Sequence, residues 1–112
     1  MIALSLSDIA ATVDGALVLG GADTQATELS GAVETDSRLV QPGGIFVAKP
    51  GETTDGHLFV PAAVAAGAAL VIVERELDAA ALGRDASQNV VPDVLLALGA
   101  LAAHVAARVH AE

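Results

Sequence analysis

Two short apolar runs, Ile45-Phe46-Val47-Ala48 and Ala69-Leu70-Val71-Ile72-Val73, bracket a segment with helix signals, and this arrangement constrains the fold more than any other feature of the chain. The first run is apolar at every position, as in a strand covered on both faces. The second is rich in β-branched residues and is the plainest strand in the sequence. Between them, Asp55-Gly56 precedes a helix expected over roughly His57 to Ala66. Pro61 is tolerable there only near the first turn, and Gly67 supplies a C-terminal cap. Strand, helix and strand in that order form a βαβ unit, so the two strands are expected to be parallel with a right-handed crossover.

The flanking segments extend this unit. Leu6 to Val13 reads as a short helix with Ser7 as N-cap, Asp8 at the positive end of its dipole, Ile9 and Val13 on one face, and Gly15 as its end. Ala16 to Leu19 is a short apolar strand and Gly20-Gly21-Ala22-Asp23 a turn. Thr24 to Ser30 reads as a polar surface connection. Gly31 to Thr35 is a weaker strand that delivers Asp36-Ser37-Arg38, and Pro42-Gly43-Gly44 is a turn. Beyond the second apolar run, Glu74 to Asn89 reads as a polar loop with a helical turn near Ala79 to Leu82, and Val90-Val91 as a short strand. A long amphipathic helix begins at Pro92-Asp93, with Val94, Leu98, Leu101, Val105 and Val109 on one face and Arg108 and His110 at its end.

Composition narrows the classes of function. The 112 residues suit one domain with a modest core. Hydrophobic residues make up 54%, yet only Phe46 and Phe59 are aromatic, so the core is assembled from Ala, Val, Leu and Ile. Without Trp or Tyr the usual stacking platforms for single-stranded nucleic acid are missing, and a net charge of -9 repels a phosphate backbone, so nucleic acid is not an expected partner. The absence of Cys excludes disulfides and thiolate chemistry. No apolar stretch reaches the roughly 18 residues of a membrane span, and the opening Met1 to Asp8 lacks a basic signal-peptide start. A soluble, cytoplasmic protein is expected.

Candidate chemistry concentrates between Asp36 and Phe59. Arg38, Lys49 and His57 all fall there, although the whole chain has only five Lys and Arg. Asp36-Ser37-Arg38 after a strand can bind an anion through the Ser hydroxyl, the Arg fork and local amides, or can cap a turn with Asp36 and Arg38 paired on the surface. Spacing alone favours the cap. Glu52-Thr53-Thr54-Asp55-Gly56 similarly reads as a polar loop with an N-cap, Lys49 as a solvated strand end, and His57 as a hydrogen bonder at a helix start. Glu74 and Glu76 around Arg75 read as a solvated strand end, not an acid/base pair. His104 and His110 carry no functional signal. The sequence has no Gly-x-x-x-x-Gly-Lys-Ser/Thr loop and no Gly-x-Gly-x-x-Gly opening a helix, so neither an ordinary ATP phosphate cradle nor a dinucleotide fingerprint is present.

The ordered set Thr35-Asp36-Ser37-Arg38, Val40-x-Pro42-Gly43-x-Ile45-Phe46-Val47-Ala48, Gly51-Glu52-x-x-Asp55-Gly56-His57-x-Phe59 and Ala62 to Val73 resembles the N-terminal domain of the Mur ligases. The resemblance covers nearly the whole chain. Ile2-x-Leu4 with Ile9-Ala10, and Val91-x-Asp93-x-Leu95-x-Ala97-Leu98, look most like the member that joins D-alanyl-D-alanine to UDP-N-acetylmuramoyl-tripeptide; the member that adds the third amino acid of the peptide is the runner-up. The fold this implies is a small, three-layer-like α/β domain with a mixed, partly parallel sheet and flanking helices. Residues 1–112 would be that first domain alone, with the central ATP-binding and C-terminal domains absent from the chain.

The activity implied is ATP-dependent amide formation in peptidoglycan precursor synthesis, through an acyl phosphate that the incoming amine attacks. ATP and Mg2+ would serve the full-length enzyme, with no cofactor, metal ligand or catalytic residue expected in this chain, which would be inactive by itself. The partners implied are UDP-N-acetylmuramoyl-tripeptide and the two other domains. By the same resemblance, Ser37 would contact the uridine or diphosphate, Glu52, Thr53 and Thr54 would lie in the loop that touches the nucleotide, and Arg38 and Lys49 would be diphosphate partners. The chain departs from the family at Lys49-Pro50, where Leu-Lys or Leu-Pro is common, and at Gly44, where Asp is frequent. A stand-alone, non-catalytic binding module is a further reading.

Overall fold

A computed structural model describes residues 4–21, 23–29, 32–49, 56–78, 82 and 86–110, the last four of these as backbone. Five strands form the central sheet: β2 (Ala16–Val18), β4 (Val33–Glu34), β5 (Ile45–Val47), β6 (Leu70–Val73) and β7 (Ser87–Val90). Their spatial order is β2-β7-β6-β5-β4. β4, β5, β6 and β7 run parallel, and only the edge strand β2 is antiparallel, to β7. Two further short strands, β1 (Leu4–Ser5) and β3 (Glu28–Leu29), pair antiparallel as a separate ribbon. Helices α1 (Leu6–Val13) and α3 (Val94–His110) cover one face, and α2 (Val60–Ala65) the other. The expected α/β class, the mixed sheet and the parallel β5-α2-β6 unit are therefore observed.

Burial explains why β5 and β6 read so clearly. Every residue of both strands is buried, their side chains alternating between two apolar layers. Ile45, Val47, Leu70 and Ile72 meet Leu6, Ile9 and Val13 of α1 and Val94, Ala97 and Leu101 of α3. Phe46, Val71 and Val73 meet Val60, Ala63 and Val64 of α2. At about 2 kcal/mol for each large side chain buried, these two layers supply most of the drive to fold. No helix among the described residues is long and apolar enough to cross a membrane.

The ends of the helices differ in detail from expectation. The N-cap of α1 is Ser5, whose hydroxyl accepts from the Asp8 N–H at 3.1 Å, and not Ser7. Leu6 is fully buried, so the first turn must already begin there. Two orphan amides of that turn, Leu6 N–H and Ser7 N–H, donate to the Thr27 and Gln25 carbonyls. The Thr24–Ser30 segment is thus more than a surface connection: it caps α1, then forms β3 and buries Leu29.

The left-handed residue closing α1 is Asp14, at φ 55, rather than Gly15. Gly15 has a different reason to lack a side chain, because a Cβ there would lie 3.0 Å from Val91 Cγ1 and 3.1 Å from Asn89 Oδ1. The segment expected as one helix from His57 starts as a 3-10 turn, Gly56–Phe59, and becomes α2 at Val60, with Pro61 in the first turn. Gly67 does close α2. At φ 112 it lets its own N–H reach the Val64 carbonyl and the Ala68 N–H reach that of Ala63, a Schellman end.

The largest departure is β7. Only Val90-Val91 reads as a strand, yet the ladder runs through Ser87, Gln88 and Asn89, all three buried between β2 and β6. Two of these polar residues replace backbone partners. The Gln88 amide accepts from Leu77 N–H at 2.8 Å and donates to the Leu77 carbonyl at 2.6 Å, as a neighbouring strand would. Ser87 Oγ donates to Asp23 Oδ2 at 2.7 Å and accepts from Gly20 N–H at 3.1 Å, tying the 20–23 turn to the sheet. The helical turn expected near Ala79 to Leu82 lies, except for Leu82, outside the described residues.

Removing the Ser87 hydroxyl leaves the half-buried Gly20 amide and Asp23 carboxylate without that partner. Ser87→Ala is therefore expected to lower unfolding free energy by about 1–3 kcal/mol, read as a lower denaturation midpoint with an unchanged slope.

Candidate functional site

The carboxyl ends of parallel strands are where open α/β sheets place ligands, because the connections leaving them diverge and expose backbone and polar side chains. In this chain the ends of β4 and β5 meet that description. β4 stops at Glu34, in register with Phe46 of β5. The chain then turns through Thr35-Asp36 into a single 3-10 turn, Ser37–Leu39. The connection leaving β5 returns as the Gly56–Phe59 turn at the start of α2.

Asp36 builds the first of these turns. Its Oδ1 accepts from the Arg38 N–H at 2.9 Å and its carbonyl accepts from the Leu39 N–H at 3.0 Å. The same carboxylate is gripped by the Arg38 side chain, Nε to Oδ1 at 3.0 Å and Nη2 to Oδ2 at 2.8 Å. Capping and surface pairing, the reading that spacing favoured, is what the turn shows. The side-chain hydrogen bonds from Arg38, with the one from its backbone N–H, hold the Asp36 carboxyl down at about 2, below its ordinary 3.8, and the side-chain contact raises the Arg38 guanidinium. An incoming anion consequently meets a neutralised pair whose guanidinium still has exposed donors, not a bare cation.

Thr35, Asp36, Ser37, Arg38 and Phe59 line a pocket of about 500 Å³, within the range of small-ligand sites. Ser37 is half-buried, and its hydroxyl takes no part in the bonds that hold the turn. A second groove of similar size, about 470 Å³, runs between Ala32-Val33 and Leu98 to Ala106 of α3. Its lining residues carry no polar side chain, so it has nothing with which to orient a polar ligand.

Of the expected site residues, the pocket unites Ser37 and Arg38. Lys49 sits exposed just beyond β5 and is not among the lining residues, while Glu52, Thr53 and Thr54 lie outside the described residues. Thr35 and Phe59 are pocket residues that side-chain chemistry alone did not single out. The available signal was Phe59 itself, one of two aromatics in the chain.

His57 is buried and its Nε2 accepts from the Glu74 N–H at 3.0 Å, which joins the start of the α2 turn to the end of β6. Glu74 is not merely a solvated strand end, since its Oε2 also accepts from the Val94 N–H at 3.0 Å and so caps α3 together with Asp93. Among the described residues no group of three or more His, Cys, Asp or Glu is placed to hold a metal ion.

Fold and pocket together define an α/β domain whose candidate site lies at the carboxyl ends of the parallel strands of a mixed sheet. Residues 31–108 match the family described as "Mur ligase family, catalytic domain". The chain belongs to the Mur ligase family.

Among its relatives, the UDP-N-acetylmuramoyl-tripeptide–D-alanyl-D-alanine ligase of Escherichia coli K12 is 40% identical over 111 residues, covering 99% of this chain and 22% of the relative. The Mycobacterium bovis enzyme of the same name is 42% identical over 83 residues, covering 73% of this chain and 16% of the relative. A UDP-N-acetylmuramoyl-L-alanyl-D-glutamate–2,6-diaminopimelate ligase from Syntrophomonas wolfei is 43% identical over 77 residues, 69% of this chain and 15% of the relative. The crystal structure of MurF from Acinetobacter baumannii superposes with a TM-score of 0.73 at 34% identity, over 90% of this chain and 20% of that one. The chain thus resembles the MurF type over a greater share of its length than the diaminopimelate-adding type, and spans between 15% and 22% of the length of these relatives.

The depressed Asp36 carboxyl makes a pH prediction. Ionised Asp36 favours the folded turn at every pH above the ordinary carboxylate value, and that contribution disappears as pH falls through about 2. In a carboxyl NMR titration Asp36 should show a midpoint near 2, and Arg38→Ala should return it towards 3.8.

Proposed function

We propose that this chain is the uridine-nucleotide-holding first domain of a ligase that joins D-alanyl-D-alanine to UDP-N-acetylmuramoyl-tripeptide in peptidoglycan precursor synthesis. The observation that carries this reading is the 40% identity extending over 99% of the chain to the E. coli ligase named for that reaction. The pocket supports it, because Asp36-Ser37-Arg38 lies where an α/β sheet presents ligands. The diaminopimelate-adding type, matched over 69% of the chain, is the second reading.

ATP and Mg2+ supply the activating chemistry of such a ligase. Both are held, in this reading, by the other domains of the enzyme, in keeping with a sequence that has no Gly-x-x-x-x-Gly-Lys-Ser/Thr loop. In this reading the chain's share is positioning. Holding the nucleotide end of a long substrate fixes where its distant carboxylate lies, and such orientation converts an encounter between free partners into a local step. Ser37 offers a hydroxyl to a uridine or diphosphate oxygen. Arg38 presents its remaining donors while Asp36 keeps its fork oriented, and the loop with Glu52, Thr53 and Thr54 completes the nucleotide contact. Lys49 is a further diphosphate partner from the end of β5. The central and C-terminal domains of the full-length enzyme receive the other end of the substrate.

Protein-observed NMR titration with UDP-N-acetylmuramoyl-tripeptide and with UDP tests the assignment. Amide shifts are expected at Thr35 to Arg38 and at Glu52 to Thr54, with weaker binding for Ser37→Ala. Shifts elsewhere on the sheet, or a Ser37→Ala variant that binds as tightly as the unsubstituted chain, would remove Ser37 from the site. The chain alone should also show no ATP-dependent ligation in a coupled phosphate-release assay. Measurable turnover would refute the division of labour.

A further inference from the structure

The two aromatic residues of this chain have opposite fates. Phe46 is buried to 1% exposure in the layer beneath α2, whereas Phe59 leaves 46% of its surface exposed. A chain whose core is assembled from small aliphatic side chains has left one of its two aromatic side chains about half exposed. The backbone around Phe59 is nevertheless anchored. His57 is buried and bonded to the Glu74 amide, and Val60 is fully buried against the sheet. The ring therefore stands on a fixed base, and it shares its pocket with the Thr35 to Arg38 turn. The lining thus combines one aromatic ring with two hydroxyls, a carboxylate and a guanidinium.

A pocket lined by an aromatic ring and by polar side chains suits a flat heterocycle that bears hydrogen-bonding groups on its edge. The face is satisfied by stacking and the edge by the polar side chains. We propose that Phe59 is the platform on which the planar base of the nucleotide ligand stacks, a role that rests on the uridine-nucleotide reading given above. Stacking is indifferent to which base is present, because every base has a π-face. Phe59 then contributes affinity, and discrimination between bases falls to Thr35, Asp36 and Ser37.

The test compares UDP, ADP and inorganic pyrophosphate as ligands of the unsubstituted chain, Phe59→Leu and Phe59→Tyr, with amide spectra confirming that each variant is folded. In the unsubstituted chain the uracil H5 and H6 resonances should move upfield on binding, as protons over an aromatic ring do. Phe59→Leu should weaken UDP and ADP by the same factor, about tenfold, and abolish the upfield movement. Phe59→Tyr should retain both, and pyrophosphate should bind all three proteins alike. UDP binding equally well to Phe59→Leu, or pyrophosphate weakened as much as UDP, would overturn the platform while leaving the Ser37 site standing. Failure of the unsubstituted chain to bind UDP at all would overturn both.

Discussion

The parallel pairing of β5 with β6, Ile45 to Leu70, Phe46 to Val71 and Val47 to Ile72, is the constraint on which the remaining structure depends. Two adjacent strands apolar on both faces cannot be left open to water on either, so each face requires a covering layer. The connection from β5 to β6 supplies one layer as α2. Helices α1 and α3 supply the other, from opposite ends of the sequence. Once those layers are in place the carboxyl ends of β4, β5 and β6 emerge together. The pocket is then a consequence of the topology, built from connections that the sheet needs in any case.

Charge plays a smaller part in stability. The Asp36–Arg38 pair is bidentate and well formed, but exposed pairs contribute little compared with the buried layers on either side of β5 and β6. Its importance is geometric: one carboxylate caps the turn and orients the arginine, so Ser37 between them is presented to the pocket on a defined backbone. On a chain of net charge -9 that arrangement also keeps a cationic fork available without leaving it free to pair elsewhere. The Asp36–Arg38 pair is itself partnered rather than poised for proton transfer, which suits the positioning role proposed above better than an acid/base one.

β7 shows how a central strand can hold neighbouring loops through polar side chains. Ser87 and Gln88 hydrogen-bond to the loops at 20–23 and at Leu77, regions where the sheet has no neighbouring strand to offer. The backbone of β7 is laddered to β2 and β6, and its polar side chains tie adjoining loops to it. Asn89, fully buried with neither amide atom partnered among the described residues, makes no such tie. Gly15 beside it admits the side chain by having none of its own.

Hydrophobic pattern alone determined the elements that bury their own side chains: β5, β6, α1, the body of α2 and α3 all follow from local periodicity and the position of Pro61 and Gly67. The polar motif at Asp36 was equally legible, because an Asp two residues before an Arg amide caps a turn through contacts within the motif. What tertiary structure decided were the features whose partners are distant in the chain. β3 and the first residues of β7 are polar or short, and are strands only because β1, β2 and β6 present a ladder to them. Glu74 became a helix cap because β6 ends beside Val94, and Phe59 became a pocket wall because the turn before α2 faces the turn after β4. Local free energy is written in neighbouring residues, whereas these roles come from contacts that exist only once the parallel sheet has brought separate segments together.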